Sequence, residues 1–201
     1  MLFIITGPSG SGKSSIVKMV LKDLPGTEFS VSHTTRPRRG TEVNGKDYFF
    51  IDRATFQKMI RLNGLAEWAE VHGHLYGTSR KEINKKNRSG ELLLDIDVQG
   101  AAQIKNSYKE AVFVFIMPPS LQVLRERLQK RGENDADEIA RRLKTAREEI
   151  KEFEHFDFII VNDNLGSAVR ELSAIITSRR CGLEQQREKA LSILRTFAEE
   201  E

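Results

Sequence analysis

One short segment near the start of the chain constrains the fold more than any other feature. It follows an apolar run at residues 2–5 and fits the pattern G-x-x-x-x-G-K-[ST], with Gly7, Pro8, Ser9, Gly10, Ser11, Gly12, Lys13 and Ser14. Glycines allow a tight turn in which consecutive backbone N–H groups point at phosphate oxygens, and a following helix presents its positive N-terminus to the same anion. The segment therefore predicts a phosphate-binding loop between a first strand and a first helix.

Two side chains of this loop indicate which phosphate compound it binds. Lys13 is placed to reach β- and γ-phosphates, and Ser14 supplies a hydroxyl for Mg²⁺. This ion keeps several of its waters and binds through one or two protein groups together with phosphate oxygens. We therefore expect a triphosphate that binds with Mg²⁺.

The composition is typical of a folded domain, and small anions would explain its local basic clusters as well as a nucleic acid would. The chain has 201 residues, 39% of them hydrophobic, and its 32 basic and 29 acidic residues leave a net charge of +3. That excess is too small to require a nucleic-acid partner, and we expect none. The longest apolar run, residues 111–117, is too short to cross a membrane, and we expect neither a signal peptide nor a membrane partner. A single cysteine, Cys181, fits a reducing compartment, so the expected location is the cytoplasm.

Apolar runs and helical patterns alternate along most of the chain. The runs cover residues 2–5, 92–94 with Ile96, 112–117 and 158–161, and each precedes a helical pattern, at residues 16–24, 100–108, 120–130 and 166–180. Continuous apolar runs are typical of buried parallel strands, and right-handed crossovers then place helices on both faces of the sheet. The sequence predicts a three-layer α/β core with a parallel sheet.

Two stretches interrupt this alternation. Short segments with polar turns predict an inserted antiparallel unit, and a charged helix that ends near Phe153 predicts a mobile helical lid. The tail reads as an amphipathic helix. The predicted division is a core of residues 1–31, 80–130 and 154–180, an insertion at 32–79, a lid at 131–153 and a helical extension at 181–201.

A cluster of arginines in the insertion is a candidate anion site. Arg36, Arg38 and Arg39 lie in one loop, and guanidinium forks match phosphate oxygens bidentately. Clustered arginines are equally common on solvated faces, where ion pairs contribute only about 0–1 kcal/mol. Tyr48 and Tyr76 either add donors to the same phosphate or serve as packing residues.

A carboxylate and two hydroxyls in the insertion match the edge of guanine. Glu67 can accept the N1–H and N2–H of guanine together, while Ser32 or Thr78 donates to O6. Adenine offers the opposite pattern, and sites built on polar complementarity can discriminate by roughly 10⁴ or more. The alternative is that Glu67 is an ordinary surface residue.

Charged residues elsewhere suggest roles in phosphoryl transfer. Arg131, Arg141 and Arg142 flank the predicted lid, so closure of the lid could bring positive charge to the transferring phosphoryl group. Asp95 and Asp97 follow a core strand at the expected ligand crevice, and either could hold Mg²⁺ waters or the acceptor nucleoside.

A zinc site at the insertion is the weaker interpretation of two histidines. His72 and His74 have the spacing H-x-H. Zinc needs three or four protein ligands, and Cys181 lies far along the chain without a second cysteine. We expect an ordinary turn instead.

With these motifs in register, residues 3–180 resemble guanylate kinases. The matching segments are residues 7–14, 32–39, 43–50, 67–69, 76–78, 94–100, 118–120 and 160–163. Two departures concern the arginine loop, where Pro37 stands one place early and Thr41 replaces a common glycine.

The resemblance implies a fold, an activity and a set of site residues. It implies a P-loop core, a GMP-binding insertion and a lid, with transfer of the γ-phosphoryl of ATP to GMP, and to dGMP, in purine nucleotide metabolism. The implied GMP-binding residues are Ser32, Arg36, Arg39, Tyr48, Glu67, Tyr76, Thr78 and Asp97. Those implied for phosphoryl transfer are Lys13, Arg131 and Arg142, with Asn162 at the adenine of ATP and Ser14 at Mg²⁺.

Two rival functions stay open on the sequence. A related scaffold module would bind phosphorylated peptides at the acceptor site, although such modules typically lack an intact phosphate loop. A kinase for a ribose phosphate or another nucleotide would reuse the loop with a different acceptor. The oligomeric state and the purpose of the tail are not indicated.

Overall fold

Nine strands and eight α-helices are present in a computed structural model that describes residues 1–71, 73–86, 90–130 and 136–198. The strands are β1 Leu2–Thr6, β2 Thr27–Phe29, β3 His33–Thr34, β4 Phe49–Phe50, β5 Leu65–Val71, β6 His74–Ser79, β7 Glu91–Asp95, β8 Val112–Met117 and β9 Phe158–Val161. The helices are α1 Lys13–Asp23, α2 Arg53–Arg61, α3 Arg80–Lys86, α4 Val98–Ser107, α5 Leu121–Lys130, α6 Ala136–Glu149, α7 Leu165–Arg180 and α8 Leu183–Ala198, with a 3-10 helix at Ile150–His155.

The core is a five-stranded sheet in the order β2-β7-β1-β8-β9, and all its pairs are parallel. Side chains alternate across β1. Phe3 and Ile5 pack in a cluster with α1 and α7, whereas Leu2 and Ile4 pack in a second cluster with α3 and α4. Both faces of the sheet are therefore covered by helices, and the predicted three-layer α/β core is confirmed.

The insertion contains a second sheet in the order β4-β3-β6-β5. The β5–β6 and β3–β6 pairs are antiparallel, and the short β3–β4 pair is parallel. Helix α2, which the sequence analysis did not predict, covers a small core of Phe56, Leu65 and Leu75. A local signal for this helix exists, because Asp52 accepts a hydrogen bond from the N–H of Thr55 as an N-cap.

The predicted lid and tail have different surroundings. Residues 131–135 lie outside the described part of the chain, and α6 packs on α5 through Leu124, Leu128, Leu143 and Ala146. Helix α8 carries exposed apolar side chains, with 72% of Leu183 and 73% of Phe197 accessible. Among the described residues, no helix is both long and apolar enough to cross a membrane.

Candidate active site

The phosphate loop has the backbone that its glycines predict. Gly7 has a φ of 144°, and a Cβ at this position would lie 2.1 Å from the carbonyl oxygen of Ile116. Gly12 has a φ of 97° and stands directly before α1. Because side chains are excluded at both positions, the loop turns tightly and the N-terminus of α1 faces the loop interior.

Asn162 and Arg127 support the loop from behind. The side-chain amide of Asn162 donates to the carbonyl of Ser11 at 2.6 Å, and Asn162 is only 4% exposed. Arg127 donates to the carbonyls of Ser11 and Asn162, at 3.3 and 2.8 Å. Arg127 was not predicted as a site residue. In this structure the amide nitrogen of Asn162 is bonded to the loop. The contact of Asn162 with adenine therefore stays a prediction.

Polar groups meet at the mouth of the loop. The Lys13 ammonium donates to the carbonyl oxygens of Gly7 and Pro8, at 2.6 and 3.2 Å. The Ser14 hydroxyl donates to Oδ2 of Asp95 at 3.1 Å. This serine and carboxylate are oxygen ligands of the kind that Mg²⁺ prefers, and they leave the remaining positions to phosphate and water. Groups of three or more metal-binding side chains are absent from the described residues.

The aspartate that ends β7 and the one just beyond it have different surroundings. Asp95 lies beside Ser14, whereas Asp97 caps α4 and accepts a hydrogen bond from the N–H of Gly100 at 2.8 Å. Burial raises the pKa of Asp97, and the N–H groups at the start of α4 act against this shift. Asp95 is therefore the candidate for the Mg²⁺ side of the site.

One cavity of about 740 Å³ joins the phosphate loop to the insertion. Predicted site residues that line it are Gly7, Ser9, Gly10, Gly12, Lys13, Ser14, Ser32, Arg36, Arg39, Tyr48, Glu67, Tyr76, Asp97 and Arg142. Pro8, Ser11, Thr78 and Asn162 lie behind this surface, and Arg131 and His72 lie outside the described residues. Residues that are far apart in sequence thus share one cavity.

Glu42 organises the arginine loop. Arg36 is only 6% exposed, and its guanidinium donates to both carboxylate oxygens of Glu42, at 2.7 and 3.0 Å. The same carboxylate accepts the backbone N–H of Arg39 at 2.8 Å. The backbone carbonyl of Pro37 accepts a further bond from Arg36 at 2.7 Å. Sequence reasoning missed Glu42, although it lies within the same loop.

Two tyrosines stand beside this arginine. The guanidinium carbon of Arg36 lies 5.3 Å from the ring centroid of Tyr48, and the rings of Tyr48 and Tyr76 meet edge to face at 6.0 Å. Burial raises the pKa of the Tyr48 hydroxyl, which therefore stays a neutral donor. The set can bind an anion through charge and hydroxyl donors together.

Glu67 is a buried carboxylate with an unused acceptor. It is 4% exposed, and no group in the described part of the chain donates to its Oε1. Burial raises its pKa to about 7, while Thr78 opposes the rise through its hydroxyl and N–H. The hydroxyls of Thr78 and Ser32 lie 3.4 Å apart beside it. A buried acceptor without a donor is costly unless a ligand supplies one, so this position suits a ligand N–H.

Helix α6 lines part of the cavity through Glu138, Arg141, Arg142 and Glu149. Arg142 is 7% exposed and forms an ion pair with Glu138 one turn earlier. Its Nε has no hydrogen-bond partner among the described residues. Glu149 lies at the end of the same helix, where burial raises its pKa and the nearby Lys13 acts against the rise. Sequence reasoning missed both glutamates because a charged helix usually reads as a solvated surface.

Fold and site together define a P-loop kinase with a second pocket, lined by arginines, tyrosines and a buried carboxylate, in the same cavity. The sequence model of the guanylate kinase family matches residues 1–179. The chain is 46% identical over 189 residues to the guanylate kinase of Thermotoga maritima, which covers 94% of this chain and 91% of the relative. It is 42% identical over 198 residues to that of Nitrosomonas europaea, with 98% of each chain covered.

A solved structure supports the same assignment. The guanylate kinase of Anaplasma phagocytophilum matches with a TM-score of 0.74 and 32% identity, over 90% of this chain and 87% of the other. The chain therefore belongs to the guanylate kinase family, whose members are nucleoside monophosphate kinases that transfer a phosphoryl group from ATP to GMP.

Proposed function

We propose that the protein transfers the γ-phosphoryl group of ATP to GMP, with the phosphate loop as donor site and the insertion pocket as acceptor site. The observation that carries this assignment is the shared cavity. Lys13 and a buried carboxylate, Glu67, both line this cavity. In-line transfer requires such placement of two substrates, because the reaction depends mainly on position and charge.

At the donor site, the loop N–H groups hold the phosphates and Lys13 moves from the carbonyls of Gly7 and Pro8 to the β- and γ-phosphates. Ser14 and Asp95 are the residues that would hold Mg²⁺ and its waters. The cation, when bound, neutralises negative charge on the phosphates. The requirement for Mg²⁺ itself is part of the proposal.

At the acceptor site, charge and base edge are read by separate groups. Arg36, Arg39, Tyr48 and Tyr76 bind the GMP phosphate, and Asp97 lies near the nucleoside. Glu67 accepts the N1–H and N2–H of guanine while the hydroxyls of Ser32 and Thr78 serve O6. Because guanine and phosphate are common to GMP and dGMP, the proposal extends to dGMP.

The transfer step needs no general base and no covalent intermediate. The acceptor phosphate is already mostly ionised near neutral pH, since its second pKa is about 6. Arg142 would leave Glu138 for the phosphoryl group, and Arg131 is proposed for the same role. Closure of α6 over the cavity would exclude water and so prevent ATP hydrolysis. A cytoplasmic location completes the proposal.

The test is ADP formation by the purified protein with Mg-ATP and each nucleoside monophosphate in turn. We expect turnover with GMP and dGMP. Calorimetric binding of GMP without any turnover would favour the binding-module alternative, and turnover with another acceptor alone would assign a different kinase. The complete loop with its lysine supports the enzyme.

A further inference from the structure

A glutamine outside the cavity joins the core to the guanine pocket. The Oε1 of Gln103, on α4, accepts the backbone N–H of Trp68 at 3.1 Å, and its Nε2 donates to the backbone carbonyl of Trp68 at 2.7 Å. Trp68 lies on β5, at the edge of the second sheet. One side-chain amide therefore satisfies both backbone groups of a residue, as a neighbouring strand would.

This junction lies directly beside the base-reading carboxylate. Trp68 follows Glu67 in sequence, and Glu67 is itself held against α4, since a Cβ on Gly100 would lie 2.4 Å from its Oε2. On its other edge β5 pairs with β6, within the insertion. The Gln103 amide thus ties an insertion strand to a core helix at the point where Glu67 enters the cavity.

We propose that Gln103 is a positioning residue for guanine recognition, which holds β5 so that Glu67 accepts both guanine N–H groups at once. The inference rests on the proposed function, in which Glu67 reads guanine. Two simultaneous bonds require the carboxylate in one place and one orientation, because hydrogen bonds weaken steeply as their angles depart from linear. Bonds from the core supply that restraint, although Gln103 does not line the cavity.

IMP provides a measure of this restraint. Its base keeps N1–H and lacks the 2-amino group, so the ratio of the dissociation constants of IMP and GMP reports the second hydrogen bond. Gln103→Met keeps the length of the side chain and removes both bonds to Trp68. We expect the IMP/GMP ratio from calorimetry to fall about tenfold, with KM for GMP raised and kcat at saturating GMP near the parent value.

The matched control is Gln122→Met. Gln122 lies exposed on α5 and bonds to Glu126 at 3.3 Å, away from the insertion, so this variant should keep the parent ratio. Gln103→Glu keeps the acceptor for the Trp68 N–H and loses the donor, and should give about a threefold fall. An unchanged ratio in the Gln103 variants overturns the inference. Both dissociation constants refer to the folded fraction, so partial unfolding does not mimic the effect.

Glu67→Gln distinguishes a failure of the proposed acceptor site from a failure of the proposed role of Gln103. If it leaves the IMP/GMP ratio at the parent value, Glu67 does not read guanine and the proposed acceptor site is wrong. If it lowers the ratio and Gln103→Met does not, only the role of Gln103 is wrong. In the Glu67→Gln background, Gln103→Met should change the ratio no further, because both act on the same bond. A further tenfold fall of the IMP/GMP ratio in this double variant would also overturn the inference.

Discussion

The phosphate loop and the proposed guanine pocket line the same cavity but are built in opposite ways. The loop is one continuous segment, residues 7–14, and loops of this pattern bind phosphate mainly through backbone N–H groups. The pocket is assembled from side chains of residues 32–97, and Arg36 and Glu67 in it and Thr78 behind it are almost fully buried. A backbone site depends on local conformation, whereas a side-chain site depends on how distant segments dock. The loop, or donor half, and the pocket, or acceptor half, should therefore respond differently to substitutions.

The largest expected effect is on the donor half. Lys13→Ala should lower kcat by at least about 10²–10³-fold, because it removes a charge from the transferring phosphates. The affinity for GMP should stay within about twofold, measured by calorimetry beside an ADP-release assay. Lys18→Ala is the control, since Lys18 is exposed on the same helix. An equal loss of GMP affinity in Lys13→Ala would break the distinction between the two halves.

The next effect belongs to the acceptor half and depends on pH. Burial raises the pKa of Glu67 to about 7, so its ionised fraction grows as pH rises through that value. Only the ionised carboxylate accepts two guanine N–H groups, and kcat/KM for GMP should therefore rise with pH up to about 8.

Glu67→Gln supplies the control for this pH profile. It should lower kcat/KM for GMP by about 10²-fold at pH 8 and remove the limb near pH 7. The GMP phosphate ionises in both proteins, so any pH dependence that remains in the variant belongs to the phosphate and not to Glu67. A variant that keeps the parent profile would show that another group titrates.

A smaller effect is expected at the arginine loop. Glu42→Gln should raise KM for GMP about five- to tenfold, because Arg36 loses the ionised partner that orients its guanidinium. KM for ATP should not change. Glu70→Gln removes an exposed ion pair with Arg53 in the same insertion and should leave both constants unaltered. A change in KM for ATP with Glu42→Gln would mean that the two halves are coupled.

The smallest effect sharpens the role of Asn162. Asn162→Ala removes the bond to the Ser11 carbonyl and should weaken binding of Mg-ATP about two- to tenfold by calorimetry. Magnesium tripolyphosphate should weaken equally if the residue supports the loop. A loss confined to Mg-ATP would instead assign the residue to the adenine. Asn106→Ala, exposed on α4, serves as the control.

The sequence predicted some parts of the molecule better than others. The core strands and the phosphate loop were correct, because a buried parallel strand is apolar throughout and a phosphate loop requires glycine at fixed positions. Helix α2 was missed since its apolar stripe is short, and Glu42 and Gln103 were missed because nothing local distinguishes them. Their importance lies in partners, Arg36 and Trp68, that only the folded chain supplies.

By itself, the sequence determined a parallel α/β core and a triphosphate loop, because both depend on patterns within short segments. The family resemblance implied which residues bind GMP but not which groups those residues contact. Tertiary structure decided that Asp95 rather than Asp97 stands beside Ser14, that Asn162 holds the loop, and that α4 forms a wall against Glu67. These outcomes follow from burial and from hydrogen bonds between segments far apart in sequence, which no local periodicity encodes.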